Sequence, residues 1–228
     1  MALNPNKCPY CGQDFSRERT LQVHMCEPKR RHLQKNEKWV QNGFIVFQRF
    51  YQIHQHGVKG KTYDDFCKSS YYNAFVKFGR FMMHINPLYP EKYIDYVILS
   101  KIKLDHWARD DLYEAYLVET LKSEPVESAL QRSIATMMDW AGEQNAQWSD
   151  YFRLVNTNRA VQHIQQGKIS PWLLLGCPAG KKMLKSFSDE QLQMTHRFIS
   201  PEYWANKFKS YPADLLFVQE TAQGAKIE

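Results

Sequence analysis

Four residues near the start of the chain have the types and the spacing of metal ligands. Cys8 and Cys11 are separated by two residues, and His24 and Cys26 complete the stretch CPYCGQDFSRERTLQVHMC. Thiolates and imidazoles are ligands that Zn²⁺ prefers, and a tight C-x2-C turn presents two thiolates to the same side of an ion. The sequence therefore predicts a metal site between residues 8 and 26.

The distribution of cysteines favours metal binding over disulfide bonds. Three of the five cysteines lie in this one stretch, and the opening residues MALNPNKCPYC lack the basic-then-apolar layout of a signal peptide. We therefore expect a cytoplasmic location, where thiols stay reduced. The chain has no apolar run of about 18 residues or more, so no membrane-spanning helix is expected.

Two apolar residues between the cysteines and the histidine extend the pattern. Phe15 follows Cys11 after three intervening residues, Leu21 follows after five more, and His24 after two more. This spacing resembles the C2H2-type zinc finger over residues 7–32. The resemblance implies a ββα fold with Zn²⁺, in which a hairpin carries the cysteines and a helix carries His24. Phe15 and Leu21 would form a core too small to fold without the metal.

The fourth ligand departs from the zinc-finger pattern. The family places a second histidine typically three to five residues after the first, and this sequence has none there. Cys26 and His32 are both candidates. Residues two apart on a regular helix face different directions, so Cys26 requires the helix to end at His24. Pro28 favours such an early end, because the residue before a proline disfavours helical geometry. We prefer Cys26 and keep His32 as the alternative.

Positive charge is concentrated in the first part of the chain. Residues 1–62 contain 11 Lys and Arg against 4 Asp and Glu, whereas the net charge of the whole chain is +6. Clusters of Lys and Arg are the sequence-independent signature of phosphate contact. A solvated helix surface explains the same charges without a nucleic acid. The candidate nucleic-acid-binding residues, called the basic set below, are Arg17, Arg19, Lys29, Arg30, Arg31 and Lys35.

A single finger is a weak indication of DNA recognition. The resemblance places Arg17 at a position that contacts base edges in DNA-reading fingers. Such proteins use several fingers in tandem, at about three base pairs each, and this chain has one. Zn²⁺ with three thiolates and one imidazole also carries about −1 net charge by ligand counting. A lone finger serves equally well for docking to a protein, and this adaptor role is the first alternative.

Beyond residue 33 the hydrophobic pattern is that of α-helices. Apolar residues recur at intervals of three and four in KWVQNGFIVFQRFYQI and again in SSYYNAFVKFGRFMMHI. In the second stretch one face is formed by Tyr71, Phe75, Phe78, Met82 and Ile85. No long alternation of period two, typical of strands, is present. We therefore predict a mainly α protein, with a zinc finger and basic arm at residues 1–33 and an all-α helical domain at residues 34–228.

Start and stop signals predict several further helices. Ser188 with Gln191 has the form of a capping box, and Ser200 with Pro201 marks another helix start. Shorter helices are expected near residues 90–100, 108–122, 126–141, 148–165 and 213–222.

A group of acidic residues gives a second alternative, an enzyme. The stretch KLDHWARDDLYEAYLVE contains Asp105, Asp110, Glu114 and Glu119. Asp110 and Glu114 are four residues apart and share a helix face. Carboxylates held together can bind Mg²⁺ and hydrolyse phosphodiesters. Acidic residues in a first helical turn are also common on surface helices, where the helix dipole stabilises them. We expect no enzymatic activity and keep a Mg²⁺-dependent nuclease as the alternative.

The sequence as a whole is interpreted as a zinc-binding accessory protein. The finger and the basic set are expected to contact nucleic acid, DNA in preference to RNA, while the helical body docks a protein partner. The opening stretch, which continues into CEPKRR, and the aromatic-rich helical body are also similar to proteins of T4-like tailed phages. That similarity implies a setting in the host cytoplasm or the virion, and a partner in the transcription, replication or virion machinery.

Overall fold

The chain is built from α-helices, as the sequence predicts. A computed structural model describes residues 6–55 and 60–227. Within these ranges there are fifteen α-helices, three short 3₁₀-helices and no β-strand. The one β-type pairing in the same ranges is an isolated antiparallel bridge between Lys7 and Asp14. The mainly α class is thus confirmed, whereas the two strands of a ββα finger are not confirmed.

The helices follow one another with short connections. The first seven are α1 (Glu18–Val23), α2 (Glu27–Leu33), α3 (Lys38–His54), α4 (Tyr63–Lys68), α5 (Tyr72–Ile85), α6 (Pro90–Leu99) and α7 (Asp110–Ser123). The next eight are α8 (Val126–Gln144), α9 (Tyr151–Leu154), α10 (Thr157–Gln165), α11 (Pro171–Gly176), α12 (Pro178–Leu184), α13 (Asp189–Ile199), α14 (Pro201–Ser210) and α15 (Pro212–Gly224). In the described part of the chain, no helix combines the length and apolar character needed to cross a membrane.

The helices group into two compact units, Met1–Leu112 and Tyr113–Glu228. The boundary falls within α7, at a position that the sequence analysis does not predict. Residues 6–33 are part of the first unit by their contacts. The expectation that they fold as a domain of their own stays a prediction.

The core of the first unit depends on a close crossing of α3 and α5. A Cβ atom added to Gly79 would lie 2.2 Å from the Trp39 carbonyl oxygen and 2.7 Å from the Gly43 nitrogen. One added to Gly43 would lie 2.9 Å from the Phe75 carbonyl oxygen. Only glycine at both positions lets the two backbones approach this closely.

Aromatic side chains fill the space beside this crossing. The ring centroid of Phe47 lies 5.1 Å from that of Phe66 and 5.5 Å from that of Phe75. Trp107 lies 5.7 Å from Phe78 in an edge-on arrangement. All five side chains are buried. Such tilted and edge-on pairs are the geometries that aromatic rings prefer, so one connected aromatic cluster stabilises the unit.

The predicted apolar face of α5 is buried at its three central residues, half-buried at Ile85 and exposed at Tyr71. Phe75, Phe78 and Met82 are buried as expected. Tyr71 is instead the residue that precedes the helix, and its side chain is exposed. Tyr72, the next residue, is buried in its place.

A buried ion pair organises the second unit. The guanidinium of Arg132 contacts both carboxylate oxygens of Glu124. Ser170 Oγ donates to Glu124 Oε1 at 3.1 Å, and Arg132 Nε donates to the Gly167 carbonyl at 2.7 Å. These added hydrogen bonds offset the cost of burying two charges. The pair therefore holds residues 167–170 against the start of α8.

The single helix expected near residues 148–165 is interrupted. A 3₁₀-turn at Trp148–Asp150 precedes α9, and α10 begins only after Asn156. The Asn156 side chain accepts a hydrogen bond from the Asn158 nitrogen at 2.9 Å. This cap satisfies a backbone donor that a continuing helix would satisfy internally, so the chain turns and starts again.

The two predicted helix starts in the last part of the chain differ in outcome. The Ser188–Gln191 capping box is confirmed, with both reciprocal hydrogen bonds formed. Pro201 lies in the first turn of α14 as predicted, but the Ser200 side chain forms no capping hydrogen bond there. Proline has no backbone N–H, so the first turn of α14 has one donor fewer for a cap to satisfy.

Helix α2 is anchored to the rest of the first unit by Arg31. Its NH1 nitrogen donates to the carbonyls of Cys67 at 2.6 Å and Ser69 at 3.3 Å. Its guanidinium carbon lies 4.4 Å from the centre of the Tyr72 ring. The Tyr63 hydroxyl donates in return to the Arg31 carbonyl at 2.7 Å. These contacts join a short helix, which has no buried residue of its own, to the body of the unit.

Replacing Arg31 with alanine is expected to lower the free energy of unfolding by about 2–3 kcal/mol, because hydrogen bonds from a charged donor to backbone carbonyls are lost. The neighbouring Arg30 is the matched control. Its side chain is 58% exposed, so Arg30→Ala should change stability by no more than about 0.5 kcal/mol. Urea denaturation followed by circular dichroism measures both. Equal stability of the two variants would contradict an anchoring role for Arg31.

Candidate metal centre

The first two candidate ligands lie on a tight turn. The Cys8 nitrogen donates to the Gln13 carbonyl at 2.9 Å, and the Gly12 nitrogen donates to the Cys8 carbonyl at 2.9 Å. Gly12 has φ of +72°, a conformation that glycine adopts without the penalty of a side chain. The turn brings Cys11 back towards Cys8 without the paired strands of a hairpin.

The other two candidate ligands lie in the extended segment between α1 and α2. α1 ends at Val23, and His24 has φ −65° and ψ 124°. Cys26 precedes α2 with φ −79° and ψ 162°. Because neither residue has helical backbone angles, two residues that are two positions apart can point to the same side here. The early helix end that Cys26 requires is therefore present.

These four residues form one group, called the ligand cluster below. The ligand atoms of Cys8, Cys11, His24 and Cys26 all lie within 4.8 Å of one another. Cys11 Sγ is 3.3 Å from His24 Nε2, and Cys8 Sγ is 3.9 Å from Cys26 Sγ. The four lie close enough to bind a metal ion. Among residues 6–55 and 60–227, no other group of three or more His, Cys, Asp or Glu side chains has this geometry.

Two of the ligand separations can be compared with those expected around a tetrahedral zinc ion. Zn–S bonds of about 2.3 Å and Zn–N bonds of about 2.0–2.1 Å place two sulfur ligands about 3.8 Å apart and a sulfur and a nitrogen about 3.6 Å apart. The observed 3.9 Å between sulfurs and 3.3 Å between sulfur and nitrogen are close to these values. Three thiols with one imidazole is also a ligand set of structural zinc sites.

His32, the alternative fourth ligand, lies outside the ligand cluster. Its Nε2 atom is 3.6 Å from Asp64 Oδ1. Its ring centroid is 5.2 Å from that of Tyr10 and 6.0 Å from that of Tyr63. These contacts place His32 between the N-terminal turn and α4. Of the two alternatives, the structure brings Cys26 to the other three ligands.

The two thiols of the turn differ in acidity. Burial raises the pKa of the Cys8 thiol, but hydrogen bonds from the backbone of Cys11 and Tyr10 outweigh this effect and the pKa is lowered. At Cys11 a backbone hydrogen bond from Gln13 lowers the pKa, but reduced hydration and the neighbouring thiols outweigh it, and the pKa is raised. The thiolate is the form that binds a metal. Backbone hydrogen bonds at this turn therefore favour the form of Cys8 that binds a metal.

Phe15 and Leu21 are both half-buried beside the ligand cluster. The Phe15 ring centroid lies 4.6 Å from that of His24. The sequence analysis predicts Phe15 as a core residue, and its packing also limits the orientations open to the imidazole. Neighbours that fix a ligand ring are a regular feature of metal sites.

Four members of the basic set face solvent. Arg17 immediately precedes α1 and Arg19 lies in its first turn, and both are exposed. Arg30 is exposed, with its NH2 nitrogen 3.9 Å from a Glu27 carboxylate oxygen. Lys35 is also exposed, although its Nζ lies 5.3 Å from the centre of the Tyr63 ring. These side chains are available to a partner.

The other two members of the basic set are engaged within the chain. Arg31 donates to backbone carbonyls, as described above, and also to Glu27 Oε1 at 2.6 Å. Lys29 Nζ donates to the His24 carbonyl at 3.0 Å. A cation at this carbonyl lies beside the ligand cluster, where it reduces the negative charge that three thiolates would bring. Both side chains therefore have a structural explanation.

Two of the acidic residues at 105–119 form ion pairs with arginines. Asp111 pairs with Arg109, whose cation lowers the pKa of that carboxyl group. Glu114 pairs with Arg197. Asp105, Asp110, Glu114 and Glu119 belong to no metal-binding group within the described ranges. The absence of enzymatic activity stays a prediction.

Two exposed apolar side chains flank the ligand cluster. Val23 is 75% exposed and Met25 is 58% exposed, on either side of His24. The zinc-finger resemblance places Val23 on the outer face of its helix, whereas Met25 lies beyond the end of α1. Adjacent exposed apolar groups beside a rigid site are typical of docking surfaces.

The chain matches no protein-family model, no curated protein and no solved structure. The similarity to zinc fingers therefore rests on the residues of the 8–26 stretch and on their geometry. The similarity to proteins of T4-like phages gains no support from these comparisons.

Purified protein is expected to hold one zinc per chain, and Cys26→Ser should lose it, because the ion loses one of four ligands. His32→Ala is the control, since His32 lies outside the ligand cluster, and it should retain the metal. Elemental analysis after dialysis measures both. Metal retained by the first variant and lost by the second would contradict this ligand set.

Removing the metal with a strong chelator is expected to leave most of the helical structure intact. α1 and α2 contain only 6 and 7 residues, whereas the longer helices bury apolar faces of their own. Far-ultraviolet circular dichroism before and after chelation should therefore show a small loss of helical signal. Loss of most of the signal would show instead that the metal holds the whole protein together.

Proposed function

We propose that the protein is a zinc-binding accessory protein in which the ligand cluster holds one structural Zn²⁺. The observation that carries the proposal is the gathering of three thiols and one imidazole within 4.8 Å. Four protein ligands fill a tetrahedral site completely, whereas catalytic zinc keeps a position open for water or substrate. The ion therefore supports a non-enzymatic role, in which it fixes the chain around it.

The exposed part of the basic set is proposed to bind nucleic acid, with DNA as the first candidate. Residues 17–35 contain six Lys and Arg but only two acidic residues, Glu18 and Glu27. Two of the six cations are engaged internally, which leaves Arg17, Arg19, Arg30 and Lys35 for phosphates. Phosphate contacts give affinity and orientation without base preference, so a sequence-independent interaction is proposed.

The charge at the metal determines which side of this segment faces the nucleic acid. Three thiolates with Zn²⁺ carry about −1, and this charge repels phosphates. Lys29 offsets part of the repulsion at the His24 carbonyl. We therefore assign the contact to the exposed cations in and beside α1 and α2, and not to the thiolate side of the site.

The helical body is proposed to dock a protein partner. The first unit has an apolar groove of about 440 Å³, and its lining includes Ile45, Met83, Pro87 and Ile94. Ile45 and Met83 are exposed. Flexible and branched apolar side chains in such a groove suit an apolar helix or loop of another protein.

An adaptor that binds only proteins is the second candidate function. The exposure of Val23 and Met25 at the ligand cluster favours it, because apolar side chains at a metal-fixed turn suit a protein surface. The two candidates differ in their dependence on salt. Phosphate contact releases counterions, whereas apolar contact does not.

Binding to duplex DNA is expected to weaken steeply as salt rises. Each phosphate contact releases about 0.9 counterion, so four exposed cations give a log–log slope of about −3 to −4. Arg30→Ala should make the slope shallower by about 0.9 and weaken all sequences alike. Fluorescence anisotropy with labelled duplexes at several salt concentrations measures the slope.

The adjacent arginine is again the control. Arg31→Ala, measured where the variant is folded, should leave the slope unchanged, because its guanidinium contacts carbonyls and not phosphates. An equal change of the salt slope for both variants would contradict the division of the basic set into exposed and internally engaged cations. A dissociation constant above about 0.1 mM, or an affinity that does not change with salt concentration, would favour the adaptor.

A further inference from the structure

A polar pocket lies beside α10 in the second unit, in a part of the chain that the ligand cluster does not involve. Its volume is about 540 Å³, within the range of small-molecule sites. Every residue that lines it is polar. Its lining includes Asn158, Arg159, Gln162, His163, Gln166 and Lys168. A pocket lined by polar residues is suited to a charged or strongly hydrogen-bonding ligand.

A buried histidine lies at the wall of this pocket. His163 is only 7% exposed. Its Nδ1 atom is 2.7 Å from the Tyr151 hydroxyl, and the two rings stack with centroids 5.9 Å apart. In the described part of the chain, this is the one hydrogen bond of the His163 side chain. When the Tyr151 hydroxyl donates to Nδ1, the neutral ring carries its proton on Nε2. The second ring nitrogen is then a donor without an acceptor among the described residues, and because His163 lines the pocket, a ligand there would supply one.

The charges around the pocket are unbalanced towards positive. Arg159 forms an ion pair with Glu143, so most of its charge is compensated. Lys168 is exposed and has no ion pair among the residues that the structure describes. The pKa of His163 is lowered to about 4, first by burial and then by the nearby cations Lys168 and Arg159, while Glu143 raises it. At neutral pH the pocket thus offers one uncompensated cation and a neutral imidazole.

We propose that this pocket binds the phosphate group of a small, polar phosphate monoester. Lys168 Nζ and His163 Nε2 would donate to the phosphate oxygens, and the side-chain amides of Gln162 and Gln166 would complete the contacts. A phosphate has more acceptor oxygens than a carboxylate, so it can accept hydrogen bonds from several donors that approach from different directions. The amides also provide acceptors, which suit the hydroxyl groups of a sugar or the edge of a base.

Binding has an expected signature at His163. A phosphate close to the ring favours the charged imidazolium, so the pKa of His163 should rise from about 4 by at least about one unit. Nuclear magnetic resonance of the histidine ring signals, recorded over a pH series, measures this. The ligands are inorganic phosphate, adenosine monophosphate, glucose 6-phosphate and uncharged adenosine.

The four ligands separate the sources of the phosphate. Saturable shifts with the phosphates and none with adenosine support the proposal, and the tighter of the two monoesters identifies the attached group. Saturable binding of adenosine as tight as that of its monophosphate would overturn it. The absence of any saturable shift with the three phosphate ligands would also overturn it.

Two exposed lysines provide the matched variants. Lys168→Ala should weaken the binding of the tighter monoester about tenfold, whereas Lys209→Ala, at an exposed position on α14, should leave it unchanged. Neither side chain is buried, so both variants should fold, and circular dichroism checks this. An equal effect of the two substitutions would show that binding depends only on the overall positive charge of the protein, and would overturn the proposal of a specific site.

Discussion

Two ligands separated by one residue cannot reach the same ion from a single helix, and this constraint determines the shape of the N-terminal segment. α1 ends at Val23, the next residues are extended, and α2 begins immediately after Cys26. The start of α2 is thereby fixed by the ligand that precedes it. α2 in turn carries Arg31 to the carbonyls of Cys67 and Ser69. The geometry of the ligand cluster is thus connected to the body of the first unit through one short helix.

Helix α2 carries both a positive charge that is bound within the unit and one that is free to contact a partner. Consecutive residues on an α-helix point about 100° apart, so Arg30 and Arg31 cannot both face one partner. Arg31 faces the unit and pairs with Glu27 one turn earlier, while Arg30 faces solvent. Lys29 is engaged at the His24 carbonyl. The cations available to phosphates are therefore fewer than the composition of KRRHLQK indicates, and the electrostatic part of any nucleic-acid affinity is correspondingly smaller.

The sequence predicted the features that depend on the local pattern of residues. It missed the features that depend on which segments lie next to each other in the folded chain. The helical class, the buried face of α5 and the Ser188 capping box follow from periodicity and capping rules. The preference for Cys26 follows from Pro28 and helix geometry. The inward role of Arg31 was missed, because charge composition does not show which side of a helix meets a neighbour. The close packing at Gly43 and Gly79 was missed because it requires two backbones to be placed together. The break at Asn156 was missed because a side-chain cap there competes with an uninterrupted apolar pattern.

The chemistry of the two candidate sites differs in a way that limits what each can do. The ligand cluster has four protein ligands for one tetrahedral ion, so an ion held there has no vacant position for a substrate. The pocket beside α10 has the opposite character, because it is open, polar and bordered by a buried imidazole with one nitrogen unused. The acidic stretch at 105–119 has neither property, since Asp111 and Glu114 are paired with arginines. A metal that supports the fold at one site and a small anion that binds at another require no shared reaction.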